Sequence, residues 1–103
     1  MGPGSHHHGD LSFEGRVRVD GTFTGRLYTE GLLEVGPTGV VDGEADVARA
    51  VIAGVVRGRF RVREHLRLQA TGAVIGTLDA GILEVEAGAR LDGPVRVQGE
   101  ELP

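Results

Sequence analysis

Short apolar-polar-apolar segments recur along this chain at nearly constant spacing, with glycine at a fixed offset from them, and few folds accommodate that repeat. The segments Val17-Arg18-Val19, Leu33-Glu34-Val35, Ala50-Val51-Ile52, Leu66-Arg67-Leu68 and Leu83-Glu84-Val85 begin 16, 17, 16 and 17 residues apart. Between them lies a second motif, apolar-x-Gly-x-apolar. It reads Phe23-Thr24-Gly25-Arg26-Leu27, Val41-Asp42-Gly43-Glu44-Ala45, Val56-Arg57-Gly58-Arg59-Phe60, Val74-Ile75-Gly76-Thr77-Leu78 and Leu91-Asp92-Gly93-Pro94-Val95. A half-copy, Phe13-Glu14-Gly15-Arg16-Val17, opens the array. An apolar spacing of two is the signature of a strand with one buried face. Helix has little support, because glycine interrupts every run at a cost of about 1 kcal/mol per interior position. The units follow one another with the same polarity, so stacking them as successive turns pairs each strand with its equivalent in the next turn. The result is a parallel β-helix, a solenoid held by nearest-neighbour contacts.

Stacking places equivalent residues about 4.8 Å apart on adjacent turns, so inward columns must be apolar throughout. Five columns meet that demand: Val17, Leu33, Ala50, Leu66, Leu83; then Val19, Val35, Ile52, Leu68, Val85; then Phe23, Val41, Val56, Val74, Leu91; then Leu27, Ala45, Phe60, Leu78, Val95; and Thr29, Val47, Val62, Ala80, Val97. Thr29 is their one polar member. Outward columns should avoid like charges on neighbouring rungs. One runs Tyr28, Asp46, Arg61, Asp79, Arg96, and another begins Arg26, Glu44, Arg59. Asp42 faces Arg57, Arg18 faces Glu34, and Arg67 faces Glu84 in the same register.

The expected fold is therefore all-β, a right-handed parallel β-helix of about five to six rungs of 16–17 residues. Right-handed crossovers are the strong default for parallel strands, and left-handed β-helices built on strict hexapeptides would need turns of about 18 residues. The expected organisation is a disordered N-terminal tail over residues 1–12, a β-helical polymerisation domain over 13–97, and a short C-terminal tail over 98–103. Neither tail reads as a cap. A β-helix with open ends shows unpaired backbone and an apolar cross-section, and these should stack on other chains. The expected first-end set is Phe13, Val17, Val19, Phe23 and Leu27. The expected last-end set is Leu83, Val85, Leu91, Val95 and Val97. The alternative is a monomeric adaptor whose tails fold back as plugs.

Composition narrows the chemistry. There is no cysteine, so neither a disulfide framework nor a thiolate metal site can form. The formal net charge of -4 opposes general nucleic-acid binding, and no apolar run approaches the roughly 18–20 residues that span a bilayer. His6, His7 and His8 read as an expression-tag remnant rather than a metal site. His65, alone in the array, reads as a histidine at a surface bend; a left-handed β-helical acyltransferase would need it as a catalytic base. No serine or cysteine nucleophile is accompanied by a base at a readable spacing, and no phosphate-loop signature is present. No catalytic residue, metal ligand or cofactor is expected. Arg57, Arg59, Arg61, Arg63 and Arg67 form a local basic run. It reads either as a solvated face paired with Asp42, Glu44, Asp46 and Asp79, or as a docking strip for an acidic protein or an anionic lipid surface.

Two stretches carry a family resemblance: residues 13–25, Phe13-Glu14-Gly15-Arg16-Val17-Arg18-Val19-Asp20-Gly21-Thr22-Phe23-Thr24-Gly25, and residues 84–93, Glu84-Val85-Glu86-Ala87-Gly88-Ala89-Arg90-Leu91-Asp92-Gly93. In their order along the rungs they resemble the bactofilins, the polymer-forming cytoskeletal proteins of bacteria. The resemblance implies a triangular, right-handed solenoid and a scaffold that assembles without nucleotide into non-polar filaments through like-to-like end contacts. It implies that Leu91 contributes to the terminal interface, at a position where relatives often carry an aromatic residue. It also implies self-association as the main partnership, co-polymers with related chains, protein clients, and a bacterial cytoplasmic location. Relatives often carry a short N-terminal membrane-targeting segment; none is read here, so membrane association would come through partners.

Overall fold

The computed structural model of the chain describes Gly4 and residues 6–97, with Val97 by its backbone alone. Eight strands run in chain order: β1 (His6–Phe13), β2 (Val17–Val19), β3 (Thr22–Val35), β4 (Val40–Ile52), β5 (Val55–Leu68), β6 (Ala73–Val85), β7 (Arg90–Asp92) and β8 (Val95–Val97). Every pairing between them is parallel, in the order β1-β3-β4-β5-β6-β7, with β2 also on β3 and β8 also on β6. The chain is an all-β parallel solenoid.

The five apolar columns are the observed register. Leu27 pairs with Ala45, Ala45 with Phe60, Phe60 with Leu78 and Leu78 with Val95, and the other four columns follow the same ladder. In the middle turns their side chains are sealed from solvent: Phe23, Val47, Phe60, Leu66, Leu68 and Leu78 are all fully buried. Thr29 is also buried, and its hydroxyl is satisfied twice. It donates to the Gly15 carbonyl at 2.9 Å and accepts from the Gly31 amide at 3.1 Å.

Each turn has three faces. The strands are longer than the repeat suggests, because β3 to β6 run unbroken across two corners. The first corner is the glycine column Gly9, Gly25, Gly43, Gly58, Gly76 and Gly93, all with φ between +106 and +131. A side chain is excluded there twice over. The conformation is left-handed, and a Cβ on each glycine from Gly25 onward would overlap the carbonyl oxygen of the glycine one turn earlier. The second corner is a shift in register after Thr29, Val47 and Val62, where two, one and two residues are passed over before pairing resumes at Leu32, Arg49 and His65. The third corner varies in length. Tight turns close at 36–39, 69–72 and 86–89 with hydrogen bonds from Gly39 to Gly36, Gly72 to Gln69 and Ala89 to Glu86. The corners at 20–21 and 53–54 are shorter. Those two corners absorb the unequal turn lengths and leave the glycine column in register.

The array begins earlier than its sequence indicates. All eight residues of β1 pair with β3, His6 with Thr22 through Phe13 with Thr29. Residues 6–12 are thus a rung of the solenoid and not a tail. His7 takes the inward place of the Phe23 column and stacks on that ring, 5.9 Å between centroids at 18°. Gly9 sits on Gly25 with the same φ of +128, and Leu11 on Leu27. The first copy of the glycine motif is therefore His7-His8-Gly9-Asp10-Leu11, and Phe13-Glu14-Gly15 is not a half-copy of it: Phe13 lies on Thr29. The expected C-terminal tail, 98–103, lies outside the described residues, as do Met1 to Pro3 and Ser5.

The glycine column makes a sharp prediction. Gly43→Ala forces both a left-handed alanine and a clash with backbone, and should lower stability by about 1–3 kcal/mol from conformational strain alone. Gly15→Ala, where a Cβ meets nothing within 4 Å, should stay within about 0.5 kcal/mol of the parent. Denaturant midpoints of the two variants check this. Thr29→Val strands the Gly15 carbonyl and the Gly31 amide and should cost about 1–3 kcal/mol in the same assay.

Candidate functional site at the ends of the solenoid

A solenoid pairs every strand on both sides except at its two ends. At the first end β1 and β2 pair only with β3. At the last end the segment Ile82 to Val85 of β6 pairs only with β5, and β7 and β8 pair only with β6. Among the described residues, each end thus presents a row of backbone donors and acceptors with no partner, the situation that favours pairing with another chain.

The last end is apolar as well as unpaired. Val85 is 47 % exposed and Val95 41 %, with Leu83 and Leu91 half-buried beside them. These four are residues expected from sequence at this end; the side chain of the fifth, Val97, lies outside the described residues. Ile82, 44 % exposed on the adjoining corner, is a further exposed apolar residue of this turn and was not foreseen, because it lies in a column with Arg49 and His65.

The first end differs from expectation. Of Phe13, Val17, Val19, Phe23 and Leu27, only Phe13 is exposed. Phe23 and Leu27 are buried because His7 and Leu11 of β1 lie on them. Val17 and Val19 have no strand partner on the outer side of β2 among the described residues, but both side chains turn into the core. The inward residues of the outermost rung are thus His7, Leu11 and Phe13 with Val17 and Val19. The signal that could have found the first two was the glycine motif with histidine in an apolar position.

The basic run is distributed over three faces, because the chain turns at Gly58 and again after Val62. Three of its five members are engaged within the chain. Arg57 pairs with Asp42 at 3.4 Å, and Arg67, which faces Glu84 in register as expected, makes its ion pair with Glu86 at 3.3 Å. Arg63 pairs with Asp46 at 3.3 Å, donates to the Thr29 carbonyl at 3.0 Å and lies 5.3 Å over the Tyr28 ring. Arg59 and Arg61 make no ion pair with the described residues. Arg18 is in register with Glu34 but donates to its neighbour Asp20 at 2.8 Å. That hydrogen bond, and then the carboxylate's charge, raises the guanidinium pKa above its usual value.

His65 sits at a corner, partly exposed, with its Nε2 3.2 Å from Glu84. No serine or cysteine stands beside it in that pairing. Among the described residues no cluster of three metal-ligating side chains occurs, and no helix is long and apolar enough to cross a membrane.

Comparison with known proteins agrees with this geometry. A family model described as bactofilin, polymer-forming cytoskeletal, matches residues 1–96, a span that includes all of β1. Bactofilin BacP of Myxococcus xanthus is 30 % identical over 95 residues, which are 92 % of this chain and 40 % of that protein. This chain therefore spans less than half the length of that curated relative. Among solved structures, the cryo-EM reconstruction of Thermus thermophilus bactofilin double helical filaments is 37 % identical, covers 92 % of this chain and 96 % of its own, and superposes with a TM-score of 0.83. An all-parallel solenoid whose end strands are unpaired on one side among the described residues, with a family match across nearly its whole length, leads to one assignment: the chain belongs to the bactofilin family of polymer-forming cytoskeletal proteins.

Proposed function

We propose that this chain is a bacterial cytoskeletal scaffold that assembles without nucleotide, end to end, into non-polar filaments in the cytoplasm. The observation that carries the reading is the last turn, where Val85 and Val95 are exposed and Leu83 and Leu91 half-buried beside a strand edge that is unpaired among the described residues. Burying such side chains is worth up to about 1.5–3 kcal/mol each, and joining two edges also satisfies the orphan backbone groups. Neither gain needs nucleotide hydrolysis. The two ends differ in chemistry, with His7, Leu11 and Phe13 at the first and an aliphatic set at the last. An aliphatic patch is self-complementary, so a two-fold contact between last ends, alternating with one between first ends, closes both surfaces. Filaments built this way have no polarity. Because the Thermus relative is seen as double helical filaments, we extend the reading to two such filaments of this chain winding together.

The reading assigns the chain no catalysis. His65 serves as a corner residue paired to Glu84, not as a base. Location and clients come through partners, including related chains that share the same end surfaces.

Electron microscopy of the purified chain in nucleotide-free buffer should show filaments. Monomers alone at high concentration would contradict the proposal and return the chain to an adaptor with plugged ends. Val85→Arg and Leu91→Arg should each give short soluble species. A buried unpaired charge costs about 3–5 kcal/mol, which weakens each last-end junction by about two to four orders of magnitude. Val85 is the more exposed of the two, so its variant keeps the fold, which circular dichroism verifies. Filaments of unchanged length from both variants would exclude the last turn as a contact.

A further inference from the structure

We propose that one face of the solenoid is the lateral contact through which two filaments of this chain pair, aligned rung to rung by charge; this rests on the filament reading above. The face lies between the glycine corner and the register-shift corner. It is carried by residues 10–12, 26–28, 44–46, 59–61, 77–79 and 94–96, one segment per turn.

Two shallow hollows lie in series along it. The first, of about 490 Å³, includes Arg26, Tyr28, Glu44 and Asp46 in its lining, and the second, of about 430 Å³, includes Thr77, Asp79, Pro94 and Arg96. Arg59 and Arg61 line both. Sharing these two residues, the hollows follow one another in the stacking direction through successive turns.

The charges on this face alternate along that direction. One column reads Asp10, Arg26, Glu44, Arg59, and the next Asp46, Arg61, Asp79, Arg96. Positive and negative groups are equal in number, so the face is neutral on a chain of formal net charge -4. It is a surface on which copies of this chain do not repel one another.

On the other faces several charges are paired within the chain, Arg57 with Asp42, Arg67 with Glu86 and Arg18 with Asp20, and His65 lies against Glu84. On this face Arg26, Glu44, Arg59 and Arg61 make no ion pair or side-chain hydrogen bond with the described residues. Asp46, the register neighbour of Arg61, is drawn off by Arg63.

The spacing selects the occupant. Like charges recur every two rungs, about 9.6 Å. An extended peptide laid along the hollows advances about 6.6–6.8 Å per two residues, so the side chains on its inner face drift out of step with that ladder. A second solenoid of the same chain carries the same ladder and, displaced by one rung, opposes unlike charges at every turn within a copy. Each exposed pair contributes little, but the contacts repeat along the filament and act together.

The test uses the full chain and electron microscopy. Glu44→Arg, which leaves position 44 positive between Arg26 and Arg59, should leave filament length unchanged and convert paired filaments to single ones. The same charge change on the third face, Glu34→Arg, should leave pairing intact. Raising salt to 1 M, where the screening length falls to about 3 Å, should separate parent filaments without shortening them. Paired filaments that persist with Glu44→Arg, or pairing lost equally with Glu34→Arg, would overturn the assignment of this face. Parent filaments that never pair would also overturn it while leaving end stacking in place. The absence of any filament would remove the underlying reading and this one with it.

Discussion

Parallel pairing without stagger is the constraint on which the rest depends. In a hairpin a residue meets a stranger; in this solenoid it meets its own counterpart one turn away, about 4.8 Å off. Whatever a position carries must therefore tolerate a copy of itself above and below. Apolar columns do so by packing, as from Leu27 through Ala45 and Phe60 to Leu78, where a large residue follows a small one. Outward charges do so by changing sign. The glycine corner does so by having no side chain, since each glycine sits against the carbonyl of the one before it.

The same rule has no natural stopping point. A globular sheet can end on a short or charged edge, but here the last described turn repeats the inner ones and presents apolar side chains at an edge that could take a further rung. The two ends answer this differently. At the first, β1 brings a histidine onto the Phe23 ring and closes the core with a partly polar rung. At the last, aliphatic side chains stay open. The ends are thus suited to different junctions. The charged face between two corners is a third surface, set at right angles to both.

Much of the architecture was legible because stacking imposes the same test five times over. The spacing of Leu33, Ala50, Leu66 and Leu83 identified the turns, and the columns gave a register that the pairings reproduce residue by residue. The first rung escaped because His7 occupies an apolar position, and three histidines after Gly-Pro-Gly-Ser resemble a tag. What marks it as a rung is Gly9, two residues before Leu11, at the offset that every other copy has. Individual ion pairs also escaped. Register places Arg61 beside Asp46 and Arg67 beside Glu84, but long side chains reach across corners, so that Asp46 pairs with Arg63 and Glu86 with Arg67. Backbone periodicity fixes which residues are level with one another, not which of several reachable partners a flexible cation takes.

The central claim is that copies join as rungs of one continuous ladder. A helical reconstruction of filaments of this chain measures it directly, through the axial advance from copy to copy. Five to six rungs at about 4.8 Å give an advance of about 26 Å per copy when the ends are in contact, with strand spacing unbroken across each junction. An advance several ångströms longer, or copies joined side by side with their ends facing solvent, would contradict the account.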